Sequence, residues 1–143
     1  MKRLLLVLFE MFGAGVADAD PVVLERGQVW TFADAPADTA RIIIGDVEPF
    51  GPVGPDGLTA VSVSIIGLPP TGYGQVIHHL PFSEAALRPA LLELESSGAS
   101  LAPDYTGGYT TWKNAVDAGE AGIFTLTPAE VITHISGIIG NAH

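Results

Sequence analysis

Cysteine is absent from this chain. Thiol nucleophiles, CxxC redox chemistry, thiolate zinc sites and iron–sulfur clusters are therefore excluded, and stability must come from a packed core rather than from disulfides. Basic residues are scarce as well. Six Lys plus Arg stand against sixteen Asp plus Glu, a formal net charge of −10. Such a surface repels phosphate backbones and anionic lipid, so neither nucleic acid nor a membrane surface is an expected partner. Anionic cofactors would find few counter-charges, and no P-loop, G-x-G-x-x-G, H-E-x-x-H or EF-hand pattern occurs. No cofactor is expected. After the N-terminus no apolar stretch nears the ~18 residues of a membrane span, Val61–Leu68 and Ile138–Ile139 being far too short. Asn114 and Asn141 lack the hydroxyl two residues on that glycosylation needs.

What is present starts with an ordered N-terminus. Lys2 and Arg3 precede the apolar run Leu4–Phe9, and Ala17-Asp18-Ala19 follows. A basic end, an apolar middle and an A-x-A site in that order read as an export signal over residues 1–19. The working protein is then residues 20–143, periplasmic or secreted, with its net charge unchanged and no membrane segment. Glu10 inside the apolar run argues the other way; an uncleaved N-terminal helix, or a start at Met11, would leave the protein cytoplasmic.

The remaining length holds one domain with a single core, and 48% hydrophobic with 15% charged residues is a globular composition. The apolar period changes near Pro81, from two to about three and a half. Before it come four strands. Gln28–Phe32 alternates Trp30 and Phe32 against Val29 and Thr31, and the turn Asp34–Asp38 follows. Arg41–Glu48 is β-branched at Ile42, Ile43 and Ile44, so its centre is expected to be buried on both faces. Pro49–Gly57 is a loop of breakers. Leu58–Leu68 sends Val61, Val63 and Ile65 to one face and Ser62 and Ser64 to a wetter one. A second breaker cluster, Pro69–Gly74, precedes Gln75–Leu80.

Three helices are expected next. Ser83 caps the first, whose stripe is Leu87, Ala90, Leu91 and Leu94, with Pro89 as a kink and Gly98 as the end. The second runs from about Asp104, its cap, to Asp117, with Tyr105, Tyr109, Trp112 and Val116 on one face and Gly107-Gly108 weakening its first turn. Thr127, Pro128 and Glu130 form a capping box for the third, which buries Val131, Ile132, Ile135, Ile138 and Ile139. Gly122–Thr125 is a short extended link that can pair with a sheet edge. These signals predict an α+β domain: a four-stranded antiparallel meander or partly closed barrel (residues 27–80), then three helices (83–140). The second and third helices are expected to pack on the Val61/Val63/Ile65 face.

Four segments carry a resemblance. Gly27-Gln28-Val29-Trp30, His79-Leu80-Pro81-Phe82-Ser83, Gly108-Tyr109-Thr110-Thr111-Trp112 and Ala121-Gly122-Ile123-Phe124-Thr125 are similar to motifs of a family of small bacterial proteins without an established activity. The likeness spans about Gly27 to Ile135. It implies an α+β domain and offers no established activity, cofactor or catalytic residue to carry over. The apparent leader and the two Pro/Gly-rich loops depart from that family.

Chemistry-bearing residues are few. On a regular strand His78 and His79 face opposite sides and cannot share a metal; His134 would have to converge on one of them to make a weak metal-binding module. Asp46 and Glu48 share a strand face and could serve with His79 as an acid/base set in a small hydrolase-like enzyme. Ser83 and Glu84 near His79 suggest a triad, but G-x-S-x-G is missing and a helix cap explains Ser83. Tyr105, Tyr109 and Trp112 with Trp30 form either an aromatic platform or core. Tyr73, among Pro70, Gly72 and Gly74, is the candidate binding residue. The reading favoured by the sequence is an exported, non-catalytic binding or accessory domain for a protein, peptide or small ligand.

Overall fold

The alternation of Val29–Phe32 becomes β1, with Trp30 and Phe32 buried on one face. The computed structural model describes residues 22–70 and 75–141. In it the strand-forming runs build β2 (Arg41–Phe50), β3 (Leu58–Ile66) and β4 (Ile77–Ser83). After β4 come α1 (Glu84–Leu87), a single 3₁₀ turn (Arg88–Ala90) and β5 (Leu91–Ser96). Then come α2 (Tyr105–Asp117) and α3 (Pro128–Asn141).

The domain is α+β, and its sheet has five strands in the order β4-β3-β2-β1-β5, antiparallel throughout. The expected count of four strands and the expected partial closure are both corrected. Among the described residues β4 and β5 each pair with one strand only, so the sheet is open. The first predicted helix accounts for the extra strand. Ser83 does cap it, accepting from the Ala86 amide at 3.2 Å. Pro89, which lacks an N–H and crowds the preceding turn, confines it to one α-turn and one 3₁₀ turn. Leu91-Leu92-Glu93-Leu94-Glu95-Ser96 then finds the free edge of β1, and that partner overrides its helical stripe.

One face of the sheet carries the main core. Trp30, Phe32, Ile42, Ile44, Val61, Val63, Ile65, Leu80 and Phe82 pack there with Leu24, Leu87 of α1, and Val131 and Ile132 of α3. The capping box forms: Thr127 Oγ1 accepts from the Glu130 amide at 3.2 Å, and Glu130 Oε1 accepts from the Thr127 amide at 2.9 Å. The side chains of Ile138 and Ile139 lie outside the described residues, as do residues 1–21 with the expected leader.

The expectation that α2 shares this face is overturned. α2 lies on the opposite face, above Ser62 and Ser64, both fully buried. That face is dry rather than wet because a helix covers it, and small side chains let the helix come close. An added Cβ at Gly108 would stand 2.8 Å from the His79 Cβ, and one at Gly45 would overlap the Tyr105 hydroxyl. The link after α2 pairs as predicted. Phe124 bridges Phe82 in parallel, donating to the Pro81 carbonyl at 2.9 Å and accepting from the Ser83 amide at 2.8 Å.

Candidate functional site beneath the second helix

Two β-bulges place the polar residues of this face. Between Ile44↔Val63 and Val47↔Val61, β2 spends three residues where β3 spends two, so Gly45 and Asp46 both turn toward α2. Likewise Val63↔Leu80 and Ile65↔Ile77 leave both His78 and His79 opposite Ser64. The two imidazoles therefore share the α2 side, which corrects the regular-strand expectation of opposite faces. His78 Nδ1 accepts from the Asp104 amide at 3.2 Å, and its Nε2 lies 3.9 Å from Asp104 Oδ2. Asp104 stands at the N-cap position without a side-chain capping bond, so its predicted capping role is not realised. Ser64 stabilises the bulge, donating to the His78 carbonyl at 2.8 Å and accepting from the Ala102 amide at 3.1 Å.

His79 is the centre of the cluster. Its ring sits among Tyr105, Tyr109 and Trp112, at centroid distances of 5.5, 5.8 and 5.5 Å, with the tyrosines edge-on. Helical steps of four and three bring all three rings to one face of α2. Phe50 stacks on the far side of Trp112 at 6.3 Å, and the indole N–H donates to the Gly122 carbonyl at 2.8 Å. Trp30 belongs to the other face of the sheet, its indole bonded to Gln28 Oε1 at 3.1 Å. The four aromatics do not form one platform.

A chain of hydrogen bonds runs outward from the imidazole. His79 Nε2 lies 2.9 Å from Ser62 Oγ, Ser62 also bonds the Tyr105 phenol oxygen, and the phenol donates to Asp46 Oδ2 at 2.8 Å. The Asp46 amide donates back to that phenol at 2.9 Å. Arg26 ends the chain, 3.2 Å from Asp46 Oδ2 and 5.5 Å from the Tyr105 centroid. A second branch serves Glu48, which accepts from Tyr109 at 2.8 Å and from Lys113 at 2.9 Å.

The ionisation shifts follow from this packing. Desolvation lowers His79 below the ordinary imidazole value, against the opposing pull of the Asp46 and Glu48 charges. Burial, followed by the Glu48 hydrogen bond and charge, pushes Tyr109 up to about 12. Tyr105 is raised by burial, reinforced by the Asp46 carboxylate. Lys113 is raised by its bond to Glu48. Both phenols stay protonated and donate; neither is poised as a base.

His79, Asp46 and Glu48 thus meet on one face, but imidazole and carboxylate are separated by a serine and a tyrosine. One cleft of about 380 Å³, lined by Pro81, Trp112, Gly122, Ile123 and Phe124, lies on the outer side of the cluster at Trp112, and another of about 610 Å³ is lined by Asp34, Glu130 and His134. His134 projects from α3, on the other side of the sheet from His78 and His79. Among the described residues no group of three or more His, Asp or Glu side chains could hold a metal ion. Ser83 is bonded as a cap and belongs to no triad. Tyr73 lies outside the described residues. Sequence reasoning missed Ser62 and the bulges. The adjacent small residue Gly45 and the doubled histidine were the only signals for them.

Comparison of the chain with protein-family models, with curated proteins and with solved structures finds no match in any of the three. No helix among the described residues is long and apolar enough to cross a membrane.

Proposed function

We propose that the chain is an exported, non-catalytic binding or accessory domain, active in the periplasm or outside the cell. The burial of Ser62, at 0% exposure, carries that reading. It is the hydroxyl His79 holds, and no substrate carbonyl can approach it without lifting α2 off the sheet. Every other titratable group of the cluster is committed to a partner that fastens the helix: Tyr105 to Asp46, Tyr109 and Lys113 to Glu48. The motifs that suggest kinship with a small bacterial family fit the same view. His79, Tyr109, Trp112, Gly122 and Phe124 meet at this one seam, as residues that maintain a fold do.

Contact is assigned to two Pro/Gly-rich connections: Gly51–Gly57, the part of the expected Pro49–Gly57 loop that β2 leaves unpaired, and Pro69–Gly74 with Tyr73. Gly51–Asp56 is exposed throughout, and Val53 at the tip of the β2–β3 connection is fully so. The second reading, an acid/base enzyme using His79 with Asp46 or Glu48, draws on the shared face alone. The test is turnover. Purified protein is incubated with chromogenic esters, peptides and glycosides across pH 5–9, beside a folded His79→Ala variant. No rate above buffer is expected; turnover lost in the variant refutes the proposal. Export is checked by fractionation and N-terminal sequencing, with a chain beginning at Asp20 expected.

A further inference from the structure

The two sides of the sheet are held by unlike interiors. Leu24, Leu87, Val131 and Ile132 close the apolar side, and among the described residues no side chain of α2 joins that core. Beneath α2 the sheet offers Ser62, Ser64, His78, His79 and Asp46 instead. Lifting the helix would therefore wet a polar surface and bare little apolar area beyond the Tyr105, Tyr109 and Trp112 rings. Glycines in the left-handed region stand on either side of α2, Gly98 at φ 76° and Gly119 at φ 75°, and can absorb the backbone change. An element with few apolar contacts opens at lower free energy than the core beside it.

His79 lies half-buried under that helix. Gly108 rests on its Cβ, and three α2 rings surround it. A charge on the imidazole would need compensation, and the charged groups near it are already engaged. From β2, Asp46 is held by Tyr105 and Arg26, and Glu48 by Tyr109 and Lys113. From β3 the Ser62 hydroxyl reaches the ring at 2.9 Å. Burial opposes the charged form more strongly than the two carboxylates favour it. His78, its neighbour on β4, is different. Protonation there forfeits the Nδ1 acceptor of the Asp104 amide but brings a cation 3.9 Å from the Asp104 carboxylate, so the two effects oppose one another.

We infer that protonation of His79 shifts α2 from its seat on the sheet to an open state while the main core stays folded. This device goes beyond the binding reading above and does not depend on it. With α2 lifted, His79 returns to its ordinary value, about 6.5, so the open state binds more protons between that value and the lower seated one. The seat is complete above about pH 6.5 and weakens as pH falls through that window.

The test is amide hydrogen exchange of the full chain, residue by residue, from pH 7.5 to 5, with each rate corrected for the intrinsic rate at that pH. Protection across 105–117 is expected to fall about threefold or more, while 42–44 and 61–65 hold theirs. The loss should share its midpoint with the His79 imidazole, followed by proton NMR. His79→Gln keeps a donor toward Ser62 but cannot take the charge, and a flat profile is expected from it. His78→Gln is expected to keep the wild-type response. The inference is overturned by α2 protection that ignores pH, by a core that loses protection in step with α2, or by a midpoint apart from the His79 titration. A response that His79→Gln retains, or that His78→Gln abolishes, overturns it equally. Should His79→Gln fail to fold, the coincidence of the two wild-type midpoints decides. None of these outcomes bears on turnover, so the non-catalytic reading stands or falls separately.

Discussion

Gly107 and Gly108 are neighbours in one helix, and replacing each with alanine should move stability in opposite directions. Alanine is favoured over glycine in a helix interior by about 1 kcal/mol, because the chain loses less freedom on folding. At Gly107 nothing stands within 4 Å of the added Cβ, so Gly107→Ala keeps that gain. At Gly108 the added methyl meets the His79 Cβ at 2.8 Å. That atom is fixed to the β4 backbone and cannot swing aside, so either the helix or the strand must yield. Overpacking of this kind costs about 1–3 kcal/mol, which offsets or exceeds the helical gain. The two variants should therefore separate by about 1–3 kcal/mol. With a urea slope of about 1–3 kcal/mol/M, their unfolding midpoints differ by roughly 1 M. Equilibrium urea unfolding by tryptophan fluorescence reads the difference, since Trp112 lies at the same seam. His79→Ala should not rescue Gly108→Ala, because alanine retains the offending Cβ. If Gly108→Ala stabilises as much as Gly107→Ala, α2 is not seated on β4 as described, and the reasoning fails.

Other outcomes follow from the same seam. Tyr105→Phe removes the phenol between the Asp46 amide and carboxylate and should cost about 1–3 kcal/mol in urea unfolding; a loss below 0.5 kcal/mol would make that bridge ornamental. Thr127→Ala removes half of the capping box of α3 and should cost about 1 kcal/mol, seen as a lower midpoint with an unchanged slope. His79 supplies a pH dependence. Its folded value lies below that of the unfolded chain, near 6.5 on the usual scale, so the unfolded state binds more protons between the two values. Its contribution is whole above about pH 6.5 and is lost as pH falls through that window toward the folded value. The groups facing it are Ser62 from β3, Asp46 and Glu48 from β2, and Tyr105, Tyr109 and Trp112 from α2. Unfolding midpoints measured from pH 8 to 4 should flatten in His79→Gln over that interval; an identical fall in the variant assigns the effect elsewhere.

The sequence announced most elements for reasons that hold locally. The β-branched centre of β2, the alternation in β3 and the Thr127–Glu130 box act over a few residues, and each element formed where those residues stand. β5 was illegible because Leu91, Leu94 and Ala90 fit a helical stripe as well as a strand, and the deciding partner, β1, lies some sixty residues upstream. The layer of α2 was illegible for a related reason. Ser62 and Ser64 look like a wet face, and only the aromatic helix arriving over them makes them interior. The histidine pair was misplaced because period-two reasoning assumes regular pairing, and the bulges break that parity.

Those parity breaks bear on how the chain can tolerate changes in length. Losing one residue inside a strand ordinarily reverses the facing of everything beyond it. At Gly45-Asp46 and His78-His79 a spare position is already present on the helix side, so a single deletion would restore even spacing and leave Ile44 and Val47, or Ile77 and Leu80, still sharing one face of the sheet. Of the two neighbouring imidazoles, one then serves as the hub of the seam and the other as slack in the ruler.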